Sequence, residues 1–126
     1  MFRVIIAGCR DYYNYNIVSA YCDKMLRDKV ADGEQIIIVS GHCRGIDQLG
    51  ERYAYERGYQ VVLYPVYQED WNKYGRSAGQ MRNAVMADNA DALIAFWDNK
   101  SAGTGGMIKI AQSKGLEVRV KYINRR

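Results

Sequence analysis

Three short glycine-containing segments carry the residue types that bind anions in proteins. They are Gly8-Cys9-Arg10, residues 41–47 and residues 101–106, and each directly follows a run of apolar residues. Glycine lets a backbone approach a ligand closely, and the start of a helix offers unpaired N–H groups to an anion. Because this arrangement recurs where a strand hands over to a helix, we expect a phosphate-bearing ligand along one edge of a parallel sheet.

The first two segments predict how a phosphate would be held. Arg10 and Arg44 stand beside glycine turns, and a guanidinium group suits bidentate contacts with phosphate oxygens. Gly8, Gly41 and Gly45 permit tight turns that aim the following helix at the ligand. The alternatives are a purely structural role for the glycines and an exposed or internally paired side chain for each arginine.

Further polar residues are candidates for the same edge. Ser101, Gly103 and Thr104 offer hydroxyl and backbone N–H groups to a second anionic group, although Thr104 is also suited to a plain helix N-cap. Arg82, one turn into a later helix, would point back toward this edge, and Asn83 and Asp88 on the same helix are weaker candidates. Asp47 has two interpretations: it favours the dipole of its helix, or it holds a ribose hydroxyl or a water molecule.

Three aromatic residues are candidates for contacts with a base or sugar: Trp71, Tyr74 and Trp97. Stacking of a base on an aromatic ring is worth about 1–3 kcal/mol in known complexes. The alternative is that these rings anchor the core or a loop. Trp71 and Tyr74 lie in residues 65–76, a segment without clear periodicity that we interpret as a lid or a binding surface.

The sequence offers little for nucleophilic or metal chemistry. His42 is the only histidine, so a serine–histidine–acid set is not expected. Cys9, Cys22 and Cys43 are an odd number without paired spacing, which speaks against a disulfide framework. Cys9, Cys43 and His42 could meet as metal ligands, but small buried thiols are the favoured interpretation because zinc sites need about four ligands. We predict no resident metal or cofactor.

Composition narrows the class of protein. The chain has 126 residues, 48% hydrophobic and 25% charged, which suits one domain of an ordinary globular protein. No stretch approaches the roughly 20 apolar residues of a membrane span, and the first residues resemble a strand rather than a signal peptide, so a cytoplasmic location is expected. A net charge of +4 mildly favours phosphorylated partners, although Lys121, Arg125 and Arg126 place part of it near the C-terminus.

Apolar runs alternate with helical periodicity along the whole chain. Strands are predicted at Phe2–Gly8, Gln35–Ser40, Tyr59–Tyr64, Ala90–Trp97 and Glu117–Ile123. Helices are predicted at Asn16–Val30, Gly45–Arg57, Ser77 to about Asp88, and from Gly103 or Thr104 to Lys114, with a capping box of Ser77 and Gln80 at the start of the third.

This alternation predicts an α/β fold. It is a three-layer, Rossmann-like, doubly wound parallel sheet of five strands in the order 3-2-1-4-5, with helices on both faces. The fifth strand alternates Val118 and Val120 with Glu117, Arg119 and Lys121, which indicates an edge strand with one wet face. In this order the ligand crevice opens between the first and fourth strands.

The combination of motifs resembles the SLOG superfamily. The segment Ile38-Val39-Ser40-Gly41 followed by Arg44-Gly45-Ile46-Asp47 is similar to its second-strand motif. Matches over nearly the full length favour the YspA-like branch: Gly8-Cys9-Arg10, residues 71–75, the helix start at residues 79–83, residues 90–97, Lys100-Ser101 and Gly103-Thr104. DNA-processing protein A and the Lonely Guy nucleotide hydrolases belong to the same superfamily.

The resemblance implies a Rossmann-like domain that binds a nucleotide or nucleotide-derived ligand, in bacteria or phages, often as a homodimer. Lonely Guy enzymes cleave an N-glycosidic bond with an arginine on the third helix and a glutamate three residues after the final Gly-Thr. Arg82 matches the arginine, but Met107 occupies the glutamate position and can neither take a proton nor stabilise a cationic sugar.

These observations lead to three hypotheses. The first is a non-catalytic module that senses or sequesters a nucleotide-like small molecule, such as an NAD- or ADP-ribose-derived signal. The second is a nucleoside-monophosphate hydrolase with a rearranged catalytic group such as Asp47 or Asp98. The third, ranked last, is single-stranded DNA binding, since the basic excess is small.

Overall fold

Strands and helices alternate from the first residue onward, as the hydrophobic pattern requires. The computed structural model describes residues 1–124, so Arg125 and Arg126 of the basic C-terminal end lie outside the described residues. The strands are β1 (Phe2–Gly8), β2 (Ile36–Ser40), β3 (Gln60–Leu63), β4 (Ala92–Trp97) and β5 (Glu117–Tyr122). The helices are α1 (Tyr15–Ala31), α2 (Ile46–Arg57), α3 (Gln68–Tyr74), α4 (Ser77–Asp88) and α5 (Ala102–Ser113).

The five strands form a single parallel sheet in the order β3-β2-β1-β4-β5, which confirms the predicted topology. β1 lies at the centre, where Val4 is paired with Ile38 of β2 and with Ala92 of β4. Central parallel strands are covered on both faces, and they are therefore almost wholly apolar. Every residue of β2 is buried, as are all residues of β4 except Trp97.

Alternating side chains of the central strands fill two cores, one on each face of the sheet. Val4 and Ile6 of β1 pack on the face that α1 and α2 cover, together with Tyr53. Ile5 and Ala7 point to the opposite face, toward α4 and α5. Since successive side chains of a strand point to opposite faces, one apolar strand supplies both cores.

The two outer strands are less buried than the central three. In β5, Val118 and Val120 are partly buried while the residues between them are exposed, as predicted for an edge strand. β3 forms the other edge, with both of its terminal residues exposed. No helix within residues 1–124 has the length and apolar character needed to cross a membrane.

The segment between β3 and α4 differs from the prediction. Residues 65–76, expected to be irregular, contain α3, whose first turn is closed by the Asp70 carboxylate accepting the N–H of Tyr67 at 3.1 Å. The capping box of Ser77 and Gln80 was also wrong, because Ser77 is already inside the helix after Arg76, which has helical backbone angles. The chain turns at Gly75 (φ 57°) directly into α4, so no extended capping residue fits there.

A network around Asp23 ties α1 to α2. The Asp23 carboxylate accepts the hydroxyl of Tyr53 at 2.7 Å and two guanidinium N–H groups of Arg57 at 3.1 and 2.7 Å. The hydrogen bonds from Arg57 are the main reason why the pKa of Asp23 lies below its ordinary value. Burial in turn raises the pKa of Tyr53, so that its hydroxyl remains a donor.

We expect Asp23→Ala to lower the free energy of unfolding by about 1–2 kcal/mol, because the ring of Tyr53 is buried and its hydroxyl would lose its acceptor. Asp28→Ala is the matched control on the same helix, since the Asp28 side chain is 90% exposed. Urea unfolding of both variants measures the difference. Equal stabilities for the two would contradict the role given to this network.

Candidate functional site

The carboxyl ends of β1, β2 and β4 meet at one edge of the sheet and open into a cleft of about 580 Å³. This volume is in the usual range of small-molecule sites. The cleft lies beside β1, where the strand order reverses, which is the position at which open α/β sheets bind ligands. Nine of the residues singled out from the sequence line it: Gly8, Arg10, Arg44, Asp47, Trp71, Arg82, Ser101, Gly103 and Thr104.

Gly41 and Gly45 do not line the cleft, although both belong to the turn that forms part of its wall. Gly45 has φ 80°, and a Cβ there would collide with the carbonyl oxygen of Cys9. This close approach lets the N–H of Ile46, the first residue of α2, donate to the same carbonyl at 3.1 Å. A Cβ on Gly41 would lie 2.7 Å from Nη1 of Arg82. Both glycines therefore position the turn, which is the structural alternative considered for them.

Two of the predicted aromatic contacts lie outside the cleft lining. The ring N–H of Trp97 donates to the carbonyl of Ser101 at 3.0 Å, and the ring packs against Gly105, so Trp97 holds the β4–α5 turn. Tyr74 is exposed at the end of α3. Trp71, one turn earlier in α3, is partly buried and reaches the cleft, where its ring lies 3.5 Å from the position of a Cβ on Gly79.

Arg82 joins α4 to the ends of β2 and β3. Its Nη1 donates to the carbonyls of Gly41 at 2.7 Å and Tyr64 at 3.2 Å, and its Nε donates to Asn83 at 3.0 Å. Its Nη2 lies 3.8 Å from Sγ of Cys43. These partners are uncharged, so the guanidinium is held in place while its positive charge is not neutralised by a salt bridge within residues 1–124. The cleft wall therefore carries a fixed cation.

Three more arginines surround the cleft with exposed side chains. Arg10, Arg44 and Arg76 line it, and within the described residues their guanidinium groups make neither a hydrogen bond nor a salt bridge. Most other arginines in residues 1–124 are paired, as in Arg52 with Glu56 and Arg57 with Asp23. Unpaired guanidinium groups around one cleft make it attractive to anions.

The β4–α5 turn is shaped by Asp98. Oδ1 of Asp98 accepts the N–H groups of Lys100 at 3.0 Å and Ser101 at 2.8 Å, which closes the turn before α5. Ser101 is the N-cap, and the predicted capping role of Thr104 is not observed because Thr104 lies buried in the first helical turn. The first backbone hydrogen bond of α5 runs from the N–H of Gly105 to the carbonyl of Ser101. The N–H groups of residues 102–104 therefore have no partner inside the helix, and they are the donors that a helix start offers.

Asp47 is the most enclosed acidic residue of the cleft wall, with 7% of its surface exposed. Its Oδ2 accepts the N–H of Cys43 at 3.1 Å. Burial raises the pKa of Asp47 to about 6, although the bond from Cys43 and the charges of Arg82 and Arg10 act in the opposite direction. Ionisable groups with perturbed pKa values in clefts are frequent at functional sites.

A second network supports the β2–α2 turn from outside the cleft. Glu51, buried on α2, accepts the hydroxyl of Ser40 at 2.7 Å and contacts Nδ1 of His42 at 2.9 Å. The backbone N–H of His42 donates to the same hydroxyl at 3.0 Å, which helps hold His42 at φ 61°. Left-handed backbone is uncommon for residues other than glycine, so this network stabilises a turn of unusual shape.

Several cleft residues were missed in the sequence, and helical spacing would have found most of them. Arg76, Gly79, Gln80 and Met86 line the cleft from α4 or its N-cap, beside Asn83. They follow the three-and-four spacing of one helix face, so placing Asn83, a weaker candidate, would have indicated the others. Asp11 and Cys43 carry no such signal. Met107 lies in the wall and is buried, so α5 brings no carboxylate to the cleft.

Residues 1–124 contain no group of three or more histidine, cysteine, aspartate or glutamate side chains placed to hold a metal ion. The thiols of Cys9, Cys22 and Cys43 are all unpaired. Cys9 is buried beneath the cleft floor, where Sγ lies 3.3 Å from Oγ of Ser101. The thiol therefore connects the β1 turn to the start of α5.

Comparison with known proteins identifies the family and agrees with the fold. The profile of the family described as the YspA, cpYpsA-related SLOG family matches residues 2–74. Gene 61 protein of Mycobacterium phage D29 is 31% identical over 123 residues, covering 94% of this chain and 94% of that protein. A structure of DNA processing protein A from Helicobacter pylori, described for its single-stranded DNA binding mode, superposes with a TM-score of 0.67 at 19% identity. That match covers 94% of this chain but 64% of the other, and it establishes similarity of fold.

Asp47→Asn tests the cost of the buried carboxyl. Burial raises the pKa of the Asp47 carboxyl from its ordinary value of 3.8 to about 6. Ionisation of this carboxyl therefore lowers the free energy of unfolding, and the loss develops between about pH 4 and pH 6 and is complete above pH 6. We expect the variant to be more stable than the natural protein near neutral pH, by up to about 3 kcal/mol, with the difference closing toward pH 4. Urea unfolding across this pH range measures it. A variant that is less stable at every pH would contradict the raised pKa.

Proposed function

Because the chain belongs to the YspA, cpYpsA-related SLOG family, we propose that it binds a nucleotide or nucleotide-derived ligand in the cleft at the carboxyl ends of β1, β2 and β4. The observation that carries the proposal is the concentration of Arg10, Arg44 and Arg76 around this cleft, where their guanidinium groups form no salt bridge within residues 1–124, beside the fixed charge of Arg82. A ligand rich in negatively charged oxygen atoms would supply the missing partners.

The parts of a nucleotide find suitable partners in different regions of the cleft. Phosphate groups are attracted to the arginines and to the start of α5, where Ser101 adds a hydroxyl and Gly103 an exposed backbone. The ring of Trp71 offers a stacking surface for a base at the opposite wall, which α3 and α4 form. An NAD- or ADP-ribose-derived molecule carries both kinds of group.

The role that fits best is binding for sensing or sequestration. Met107 stands at the α5 position that matches the glutamate of the Lonely Guy motif, and Asp98 is engaged with the N–H groups of the β4–α5 turn. Neither residue is arranged to transfer a proton to a bound ligand. The cleft is thus proposed to hold its ligand without changing it.

A thermal-shift panel of nucleotides and dinucleotides, followed by calorimetric titration, tests the proposal. We expect at least one nucleotide to stabilise the protein, and Arg44→Ala to weaken its binding about tenfold, because one charge-assisted contact is lost. Arg27→Ala is the control, since Arg27 is exposed on α1 beside Asp28 and does not line the cleft. Binding should also weaken as salt is raised.

Two results would refute nucleotide binding in this cleft. One is the absence of stabilisation by every nucleotide in the panel. The other is equal affinity of Arg44→Ala and the natural protein for a nucleotide that does bind, because the cleft arginines would then have no part in binding.

Single-stranded DNA is the second candidate. A further cleft of about 490 Å³, lined by Tyr12, Tyr13 and Tyr122, shares Asp11 with the first, so a longer chain of nucleotides has room to continue along the surface. The structurally similar DNA processing protein A is described as binding single-stranded DNA. An oligo-dT in the same titration separates the two ligands: DNA binding would exceed that of any mononucleotide and fall steeply with salt.

We also propose that the protein forms a homodimer through the outer face of α4. Met81 and Val85 lie one turn apart on this face and are 46% and 47% exposed. The helix carries only Arg82 and Asp88 as charged residues, Arg82 is turned inward, and Asp88 is paired with Lys114 at 2.6 Å. Exposed methionine with few charges is typical of the centre of protein interfaces.

Val85→Lys should convert a dimer to a monomer, because it places a charge in the centre of this face. Val30→Lys on α1 is the matched control, since Val30 is also 47% exposed. Light scattering after size exclusion gives the mass of each variant. A monomeric natural protein, or a Val85→Lys variant that remains dimeric, would rule out this interface.

A further inference from the structure

One oxygen of the Asp47 carboxyl remains without a partner. Oδ2 accepts the N–H of Cys43, whereas within residues 1–124 no hydrogen bond reaches Oδ1. The residue is more than nine-tenths buried, yet it lines the cleft, so a ligand there is the available source of a donor. Oδ1 is not fully enclosed by protein atoms, so it is open to the cleft and able to accept a hydrogen bond from a ligand.

The charges around Asp47 determine what kind of donor suits it. Glu51 lies one turn further along α2, is also buried, and acts against the ionised form of Asp47. Arg10 and Arg82 are close enough to favour the ionised form of Asp47, but neither forms a salt bridge with it within the described residues. A phosphate placed against Asp47 would be repelled, whereas a neutral hydroxyl group would be accepted.

A ribose that carries a phosphate combines both requirements in one small unit. Its hydroxyl groups are neutral donors, and its phosphate lies within a few ångströms of them, which matches a carboxyl acceptor with the cations Arg10 and Arg82 nearby. On this basis we propose that Asp47 accepts a hydrogen bond from a ribose hydroxyl, so that the cleft selects ribonucleotides over deoxyribonucleotides. This inference rests on the proposed function and names the ligand class of the same site.

A purely structural role for Asp47 makes a different prediction. The bond from the Cys43 N–H requires one acceptor oxygen, and an asparagine side chain supplies such an oxygen equally well. If closing the turn were the whole role of Asp47, Asp47→Asn would leave ligand selection unchanged. If Asp47 instead receives a ribose hydroxyl, the loss of charge weakens that bond, since hydrogen bonds to ionised groups are stronger.

The experiment compares AMP, GMP, CMP and UMP with their 2′-deoxy and 3′-deoxy counterparts by calorimetric titration of the full chain. The natural protein should bind at least one ribonucleotide about tenfold more tightly than one of its deoxy counterparts, as expected for a bond to a carboxylate. Asp47→Asn should reduce that ratio to about threefold or less. Arg44→Ala should weaken both members of the pair and keep the ratio, because it acts on the phosphate.

Inorganic phosphate separates a local effect at Asp47 from a general loss of structure. It has no ribose, so Asp47→Asn should bind it more tightly than the natural protein does, by removing a negative charge from the wall. The same substitution thus has opposite effects on phosphate and on a ribonucleotide. A general loss of structure would weaken both.

Each outcome decides the inference. Equal binding of ribo- and deoxyribonucleotides by the natural protein, with Arg44→Ala still weakening both, overturns the role of Asp47 and leaves nucleotide binding intact. An unchanged ratio in Asp47→Asn also overturns it. If no nucleotide binds the natural protein, the inference and the proposed function fall together. The ratio in the natural protein requires no variant, so equal binding overturns the inference even if Asp47→Asn does not fold.

Discussion

The cleft depends on the close contact between the backbones of two successive turns. Gly45 lies against the carbonyl oxygen of Cys9, and Ile46 donates its N–H to the same oxygen. A side chain at position 45 would force the β1 and β2 turns apart, and the positive φ of this residue adds to the preference for glycine. Because the turns touch, Arg10 and Arg44 reach one cleft although 33 residues of chain, including β2 and α1, separate them.

Arg82 plays the corresponding part on the other side. Its bonds to the carbonyls of Gly41 and Tyr64 fasten α4 to the ends of β2 and β3, so the wall that carries Trp71 stays next to the β2–α2 turn. These carbonyls hold the guanidinium without neutralising it. A residue that positions the wall thereby also contributes charge to the site, and its loss would affect folding and binding together.

The fold could be predicted almost completely from the chain, and the site in part. Strand β1 was placed with its observed bounds, and the sheet order followed from alternation and from the wet face of β5. Each error has its own local cause. α3 is short and lacks periodicity, Ser77 fell inside a helix because Gly75 turns the chain, and Trp97 was turned toward Ser101 by a bond that sequence spacing does not reveal.

Local patterns along the chain determined which segments become strands and which become helices. They also showed that glycine and arginine occur together at two of the strand-to-helix turns. Those properties depend on neighbouring residues, whose spacing is visible in the sequence. The tertiary structure alone decided that Trp97 turns away from the cleft, and that within residues 1–124 no donor reaches Oδ1 of Asp47. Burial and the direction of a side chain arise from contacts between distant segments, and these exist only once the chain has folded.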